Sequence, residues 1–268
     1  MRGKKMGEDI EIHMLKKVDL KGATVIAGFP SVGLVSSIVA NYLVNALNLE
    51  QVGVLDSVYF PPLSLVRHAE PLDTVRIYAG QRVGTESSHD QIVVFISEFQ
   101  PPPNLIRAIT GEMLDWVIAE KCKRLFCPEG LVIEKDGEDT GPAGPGEGKE
   151  IEPYGIGSTH NARKLLEDNN IKLFQEGVIT GIAGVLLNEG RRRDFDVISV
   201  LAEANAQYPD ARAAAKVIET LDKLILHIRM DPKPLYAEAE TIEAQLKSVQ
   251  KQTKAGGSQP TPAPHMYG

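Results

Sequence analysis

The chain has 268 residues, 43% of them hydrophobic and 24% charged, with a net charge of −7. This is enough apolar material for a substantial core, in one large domain or two small ones, and it excludes a globally disordered chain. The two cysteines, Cys122 and Cys127, have no second pair to build a zinc or dithiol framework, and no stretch approaches the roughly 20 apolar residues of a membrane span.

Along the chain, Thr24 to Ala27 (TVIA) reads as a buried strand closed by Gly28 and Pro30. Ser31 is placed to cap a helix whose apolar positions Val32, Val35, Val39, Leu43 and Leu47 recur at three and four residues. Gln51 to Leu55, Thr74 to Ala79 and Gln91 to Ile96 read as strands, the last a central one. After Pro101 to Pro103, Asn104 to Lys121 is helical, with Leu105, Ile109, Met113, Trp116 and Val117 on one side, and Arg124 to Cys127 is a further strand.

Glu134 to Pro153 then holds seven carboxylates against Lys135 and Lys149, so one Gly/Pro-rich loop carries −5 of the −7. Its flanks share one composition, which reads as an insertion within a domain. The rest of the chain is near neutral and implies no duplex-binding face. A helix starts at Ser158 or Thr159 and runs through Leu166, followed by Gly177 to Thr180 and a helix from Ile182 to Arg191. Arg191 to Arg193 suits a helix C-terminus, where cations meet the negative end of the dipole. Asp196 to Ala202 is a strand, and Ala211 to His227 an alanine-rich helix after Pro209 and Asp210. Strand and helix alternate at lengths suited to crossover units. The expected fold is therefore α/β, a largely parallel or mixed central sheet with flanking helices.

The last helix, 231–254, differs. Leu235, Ala239, Ile242, Leu246 and Val249 fall at heptad spacing, with glutamates early and lysines late. Such a seam either docks on the parent domain or forms an oligomer interface, since two heptads alone are marginal. Residues 255–268 then form a flexible tail, AGGSQPTPAPHMYG, with three prolines and no apolar face. At its tip, Met266, Tyr267 and Gly268 place an apolar residue and an aromatic ring beside an expected α-carboxylate, a combination that suits a pocket with a cationic rim. The expected organisation is a single domain over 1–230, interrupted at 134–153, then this helix and tail.

Catalytic motifs are weak. Gly28 to Gly33 has the spacing of a phosphate loop, but Leu34 and Val35 stand where lysine and serine or threonine belong. Gly155, Gly157 and His160 begin like a dinucleotide loop whose last glycine is replaced, and the glycines read instead as a turn before a helix. Ser31, Ser87, Ser88 and Ser158 are possible nucleophiles, with His89, Asp90 and His160 as possible helpers, and none lies in a nucleophile elbow. A small-molecule hydrolase or nucleoside-binding enzyme, and a protein-interaction scaffold, stay as alternative readings. Neither metal nor cofactor is expected. The N-terminal MRGKKMGEDIEIH has no apolar run after its basic residues, so it does not read as a signal peptide, and the expected compartment is the cytoplasm.

Six segments in order resemble the PAC2 family of proteasome assembly chaperones, particularly its archaeal members. They are GFPSVGLVSSIVANYL from Gly28, PPLSLV from Pro61, EFQPPP from Glu98, GIGSTHNARKLL from Gly155, GVITGIAGVLLNEG from Gly177 and YPDARAAAKVIETL from Tyr208. The resemblance implies a fold similar to the nucleoside phosphorylases, no enzymatic activity and a homo-oligomer of four or five subunits. It also implies a C-terminal hydrophobic–tyrosine–any-residue motif, matched by Met266, Tyr267 and Gly268, that enters pockets between α-subunits of the 20S proteasome. The terminal carboxylate would pair there with a pocket lysine. The acidic insertion departs from a typical member.

Overall fold

Every residue of Thr24–Gly28 and of Ile92–Ile96 is buried, which requires a sheet covered on both faces. The computed structural model describes residues 10–67, 69–80, 91–132, 151–226 and 230–237. In chain order the strands are β1 (Ile10–Met14), β2 (Thr24–Gly28), β3 (Glu50–Ser57), β4 (Leu65–Arg67), β5 (Glu70–Leu72), β6 (Val75–Ala79), β7 (Ile92–Ile96), β8 (Arg124–Leu131), β9 (Pro153–Gly157), β10 (Lys172–Leu173) and β11 (Val197–Glu203). The helices are α1 (Val35–Ala46), α2 (Pro103–Ala119), α3 (His160–Asp168), α4 (Gly181–Arg193) and α5 (Ala211–Leu221).

Among the described residues nine strands form one mixed sheet in the order β1-β3-β6-β7-β2-β8-β11-β9-β10. Its centre, β7-β2-β8-β11, is parallel, while β1, β3 and β6 pair antiparallel on one side and β9 runs antiparallel to β11 on the other. Alternate residues of each central strand feed opposite cores. Ile26, Val94, Phe126 and Ile198 join α1, α3 and α5, whereas Val25, Phe95, Leu125 and Val197 join α2 and α4. On α2, Leu105, Ile109, Met113 and Val117 are buried as their spacing predicts, and Trp116 meets the Phe95 ring edge-on at 5.4 Å.

Local caps set several boundaries. Thr159 Oγ1 accepts from Ala162 N at 3.0 Å and starts α3, and Asp210 Oδ1 accepts from Ala213 N at 3.0 Å and starts α5. The three arginines Arg191 to Arg193 do occupy the last turn of α4, and Arg193 pairs with Asp115 of α2.

Other readings need correction. Gly155 and Gly157 lie inside strand β9, not in a turn, because α3 crosses so closely that a Cβ on Gly155 would sit 2.6 Å from Leu166 Cδ2 and one on Gly157 2.6 Å from Arg163 N. The helix expected to reach His227 stops at Leu221 and widens into a π-helical turn, Asp222–Leu226, whose Asp222 carboxylate accepts from Met230 N at 3.2 Å as the chain returns. Strand β8 runs four residues past Cys127, to Leu131. Residues 133–150, most of the acidic insertion, lie outside the described residues, as do 81–90.

Candidate functional site

Helix α1 leaves β2 towards one face of the sheet and α2 leaves β7 towards the other. Connections that diverge in this way open a crevice at the carboxyl edge, where open α/β sheets hold ligands. Such a cleft of about 380 Å³ is present, lined by Phe29, Ser31 and Val32 after β2, Gln100 after β7, Cys127, Glu129 and Leu131 of β8, and Ile179 to Ala183 at the start of α4. The segment between β2 and α1 is a 3-10 turn, Val32–Leu34, in which Gly33 and Leu34 both adopt left-handed φ of 60° and 51°. Glycine does this freely, whereas Leu34 does so at a cost of roughly 1–2 kcal/mol.

Among the described residues Glu129 is the cleft's one charged lining residue. Burial lifts its carboxyl to about 8, so it carries a proton at neutral pH. Burial also holds the Cys127 thiol well above its ordinary value, with the Glu129 charge adding to the effect, and Cys122 is pushed up to about 12. Both cysteines are free, buried and protonated, which removes them as nucleophiles.

A second cluster lies beneath the β4–β5 hairpin. Arg76, only 1% exposed, donates through Nη2 to both oxygens of Glu98 at 2.8 and 2.9 Å and through Nη1 to Asp73 O at 2.8 Å. Arg67 on the hairpin donates to Glu98 Oε1 at 2.6 Å and to Asn41 Oδ1 on α1 at 3.1 Å. One carboxylate thus ties the hairpin and the sheet together.

The third feature is the root of the C-terminal segment. Residues 233–237 begin a helical turn on the α1/α5 face. Leu235 is 4% exposed within the core formed by those helices. Tyr236 Oη donates to Glu219 Oε1 of α5 at 3.0 Å, and Tyr42 Oη of α1 donates to Asp231 O at 2.6 Å. Burial, then the bond to Glu219, pushes the Tyr236 hydroxyl up to about 12, so it stays a donor throughout the physiological range.

Of the residues singled out in the sequence, Ser31, Ser158, His160 and Leu235 are described and sit in separate local roles. Leu235 faces its own subunit's core, while Ile242, Leu246 and Val249 lie outside the described residues, as do Met266, Tyr267 and Gly268. Ser87, Ser88, His89 and Asp90 also lie outside. Ser158 Oγ donates to Phe195 O at 2.8 Å and accepts from Val197 N at 2.9 Å, so it staples β9 to β11. His160 is exposed on the first turn of α3, and Ser31 Oγ accepts from Ser36 N at 3.0 Å. Sequence reasoning missed Glu129, whose only signal is a carboxylate inside an otherwise apolar run, LFCPEGL. Among the described residues no group of three or more His, Cys, Asp or Glu is placed to hold a metal, and no helix is long and apolar enough to cross a membrane.

A family model described as the PAC2 family matches residues 25–250. An uncharacterized protein of Methanocaldococcus jannaschii is 29% identical over 238 residues, 88% of this chain and 89% of that one. Among solved structures, monoclinic Pyrococcus furiosus PbaA, an archaeal homolog of proteasome-assembly chaperone, matches at 30% identity with a TM-score of 0.76, covering 92% of this chain and 94% of that one. Pyrococcus furiosus PbaB, an archaeal proteasome activator, has a TM-score of 0.75 at 22% identity, covering 90% and 99% of the two chains, a likeness of fold.

Proposed function

The chain belongs to the PAC2 family, and from that premise we propose that it is a homo-oligomeric proteasome assembly chaperone or activator-like adaptor, cytoplasmic and without enzymatic activity. It docks on the α-ring of the 20S proteasome through Met266, Tyr267 and Gly268. The observation that carries this reading is the likeness to PbaA, a homolog of proteasome-assembly chaperone, over 92% of the chain at 30% identity. The anchoring of Leu235 and Tyr236 on α1 and α5 supports it, because a tail needs a fixed root to present its tip.

One ring and one carboxylate bury too little surface for tight docking by a single tail. Several tails on one oligomer raise the effective concentration for each later contact, and binding then depends on the number of subunits. The employment of Ser158 in a backbone staple and the exposure of His160 favour an adaptor over a hydrolase. The test is a pull-down of 20S particles with the intact chain and with a chain lacking its last three residues. Retention by the intact chain alone supports the reading, and equal retention by both overturns it.

A further inference from the structure

Strand β1 ends the nine-stranded sheet, and among the described residues no strand lies on its outer side. The opposite edge, β10, is two residues long and begins with Lys172, which leaves little to pair. β1 is better suited to pairing. Its five residues, IEIHM, include no lysine or proline, and at its end Met14 and Leu15 are 39% and 60% exposed. The register with β3 fixes which backbone groups are left over. Leu15 N–H donates to Val52 O at 2.7 Å, and Ile10 to Met14 continue the same antiparallel register opposite Ser57 to Gly53. Bonded pairs recur at every second residue of such a ladder, so Glu11 and His13 direct their N–H and C=O groups to β3. Ile10, Ile12 and Met14 direct theirs outward, as a template for a further strand.

The side chains add a second demand. Ile10 and Ile12 pack with the α2 core, while Glu11 and His13 are exposed on the other face. Glu11 lies opposite Asp56 of β3, another exposed carboxylate, and its own carboxylate is 3.8 Å from His13 Nε2. Like charges directly opposite one another destabilise a strand pair, so a base on the outer side of Glu11 is favourable. A second copy of β1, running antiparallel about a twofold axis at Ile12, meets both demands. Ile12 then meets its own equivalent, Met14 lies beside Ile10 of the second copy, and Glu11 lies opposite His13. An axis at Glu11 would set that carboxylate against itself, and one at His13 would set imidazole against imidazole. We propose that the chain self-associates edge to edge through β1, its occupant a second copy of itself, in the register that pairs Glu11 of each subunit with His13 of the other. These are the closer, unbonded pairs of the ladder, and an imidazole N–H donates to a carboxylate whether or not the ring is charged. The sheet runs on from one subunit into the next. This contact is separate from the heptad seam and does not depend on proteasome docking.

The experiment is disulfide trapping on the full chain with oxidised glutathione, read on a non-reducing gel. Ile12→Cys sets two thiols at the axis with Cα atoms about 5.5 Å apart, within the span of a disulfide. Glu11→Cys alone and His13→Cys alone set equivalent residues diagonally, about 7–8 Å apart, beyond that span. Ile12→Cys is expected to form at least about tenfold more covalent dimer than either, and the parent, whose two cysteines are buried, none. Equal cross-linking by the three variants, or none by Ile12→Cys, overturns the proposal. Sedimentation velocity in an Ile242→Asp background supplies a second readout. There His13→Glu sets like charges opposite one another on both sides of the axis and is expected to weaken self-association about tenfold, and Glu11→His combined with His13→Glu is expected to restore it. A double variant as weak as the single one overturns the register. The Ile12→Cys cross-link is expected to persist in an Ile242→Asp chain and in a chain without residues 266–268, which separates this contact from the seam and from tail docking, and its loss in either overturns that separation.

Discussion

Arg76 Nη2 holds both oxygens of Glu98, at 2.8 and 2.9 Å, with the arginine 1% exposed and the glutamate's side chain 25% exposed. A guanidinium enclosed to that degree is tolerable only while its counter-charge is present. Glu98→Ala is therefore expected to cost about 3–5 kcal/mol, read as a lowered midpoint in urea denaturation. Arg67→Ala removes a half-exposed partner of the same carboxylate and is expected to cost at most about 1 kcal/mol. Equal costs would show that Glu98 serves the hairpin more than the buried arginine.

Tyr267→Ala is expected to abolish most binding to 20S particles in surface plasmon resonance and to leave the melting temperature unchanged. Adding one residue after Gly268 should weaken binding as well, by moving the carboxylate relative to the ring. Undiminished binding by the alanine variant would remove Tyr267 from the docking element.

Two positions on the heptad seam separate anchoring from assembly. Leu235→Ala opens a cavity between α1, α5 and the last helix and is expected to cost about 2–5 kcal/mol in chemical denaturation. Ile242→Asp is expected to lower the mass seen by analytical ultracentrifugation while the sheet domain stays folded. An unchanged mass would take Ile242 out of the proposed interface.

Glu129 sets a pH dependence whose direction follows from its raised folded value. From the ordinary carboxylate value of 4.5 up to about 8, the folded state binds more protons at this site than the unfolded state. Stability from this group therefore falls as pH rises through that window and levels off above it. Glu129→Gln should flatten the slope, so the variant's melting temperature at pH 8 should exceed the parent's. Parallel profiles for the two proteins between pH 5 and pH 8 would show that the carboxyl titrates normally.

The buried strands were legible because a doubly covered sheet demands continuous apolar runs, as in TVIA at β2 and IVVFI at β7. Helices α2 and α5 were legible through periodic apolar residues and, for α5, through its Asp210 cap. Strand β9 (PYGIG) was not, because its glycines answer to the close approach of α3, a neighbour that the local sequence does not reveal. Strands β1, β4, β5 and β10 were missed for a related reason. They are edge or hairpin strands of two to five residues, and they owe their conformation to partners more than to propensity.

What the sequence by itself determined is the alternation of strands and helices, the placement of caps and charges, and a tail of three prolines that has no apolar face. Each of these follows from interactions within a few residues. Tertiary structure alone decided that β2 lies between β7 and β8, that Glu98 neutralises an arginine 22 positions away, and that Glu129 opens into a cleft with the start of α4. Those outcomes depend on which distant surfaces exclude water together. Packing around the cleft raises the carboxyl of a glutamate that the run LFCPEGL by itself leaves unremarkable.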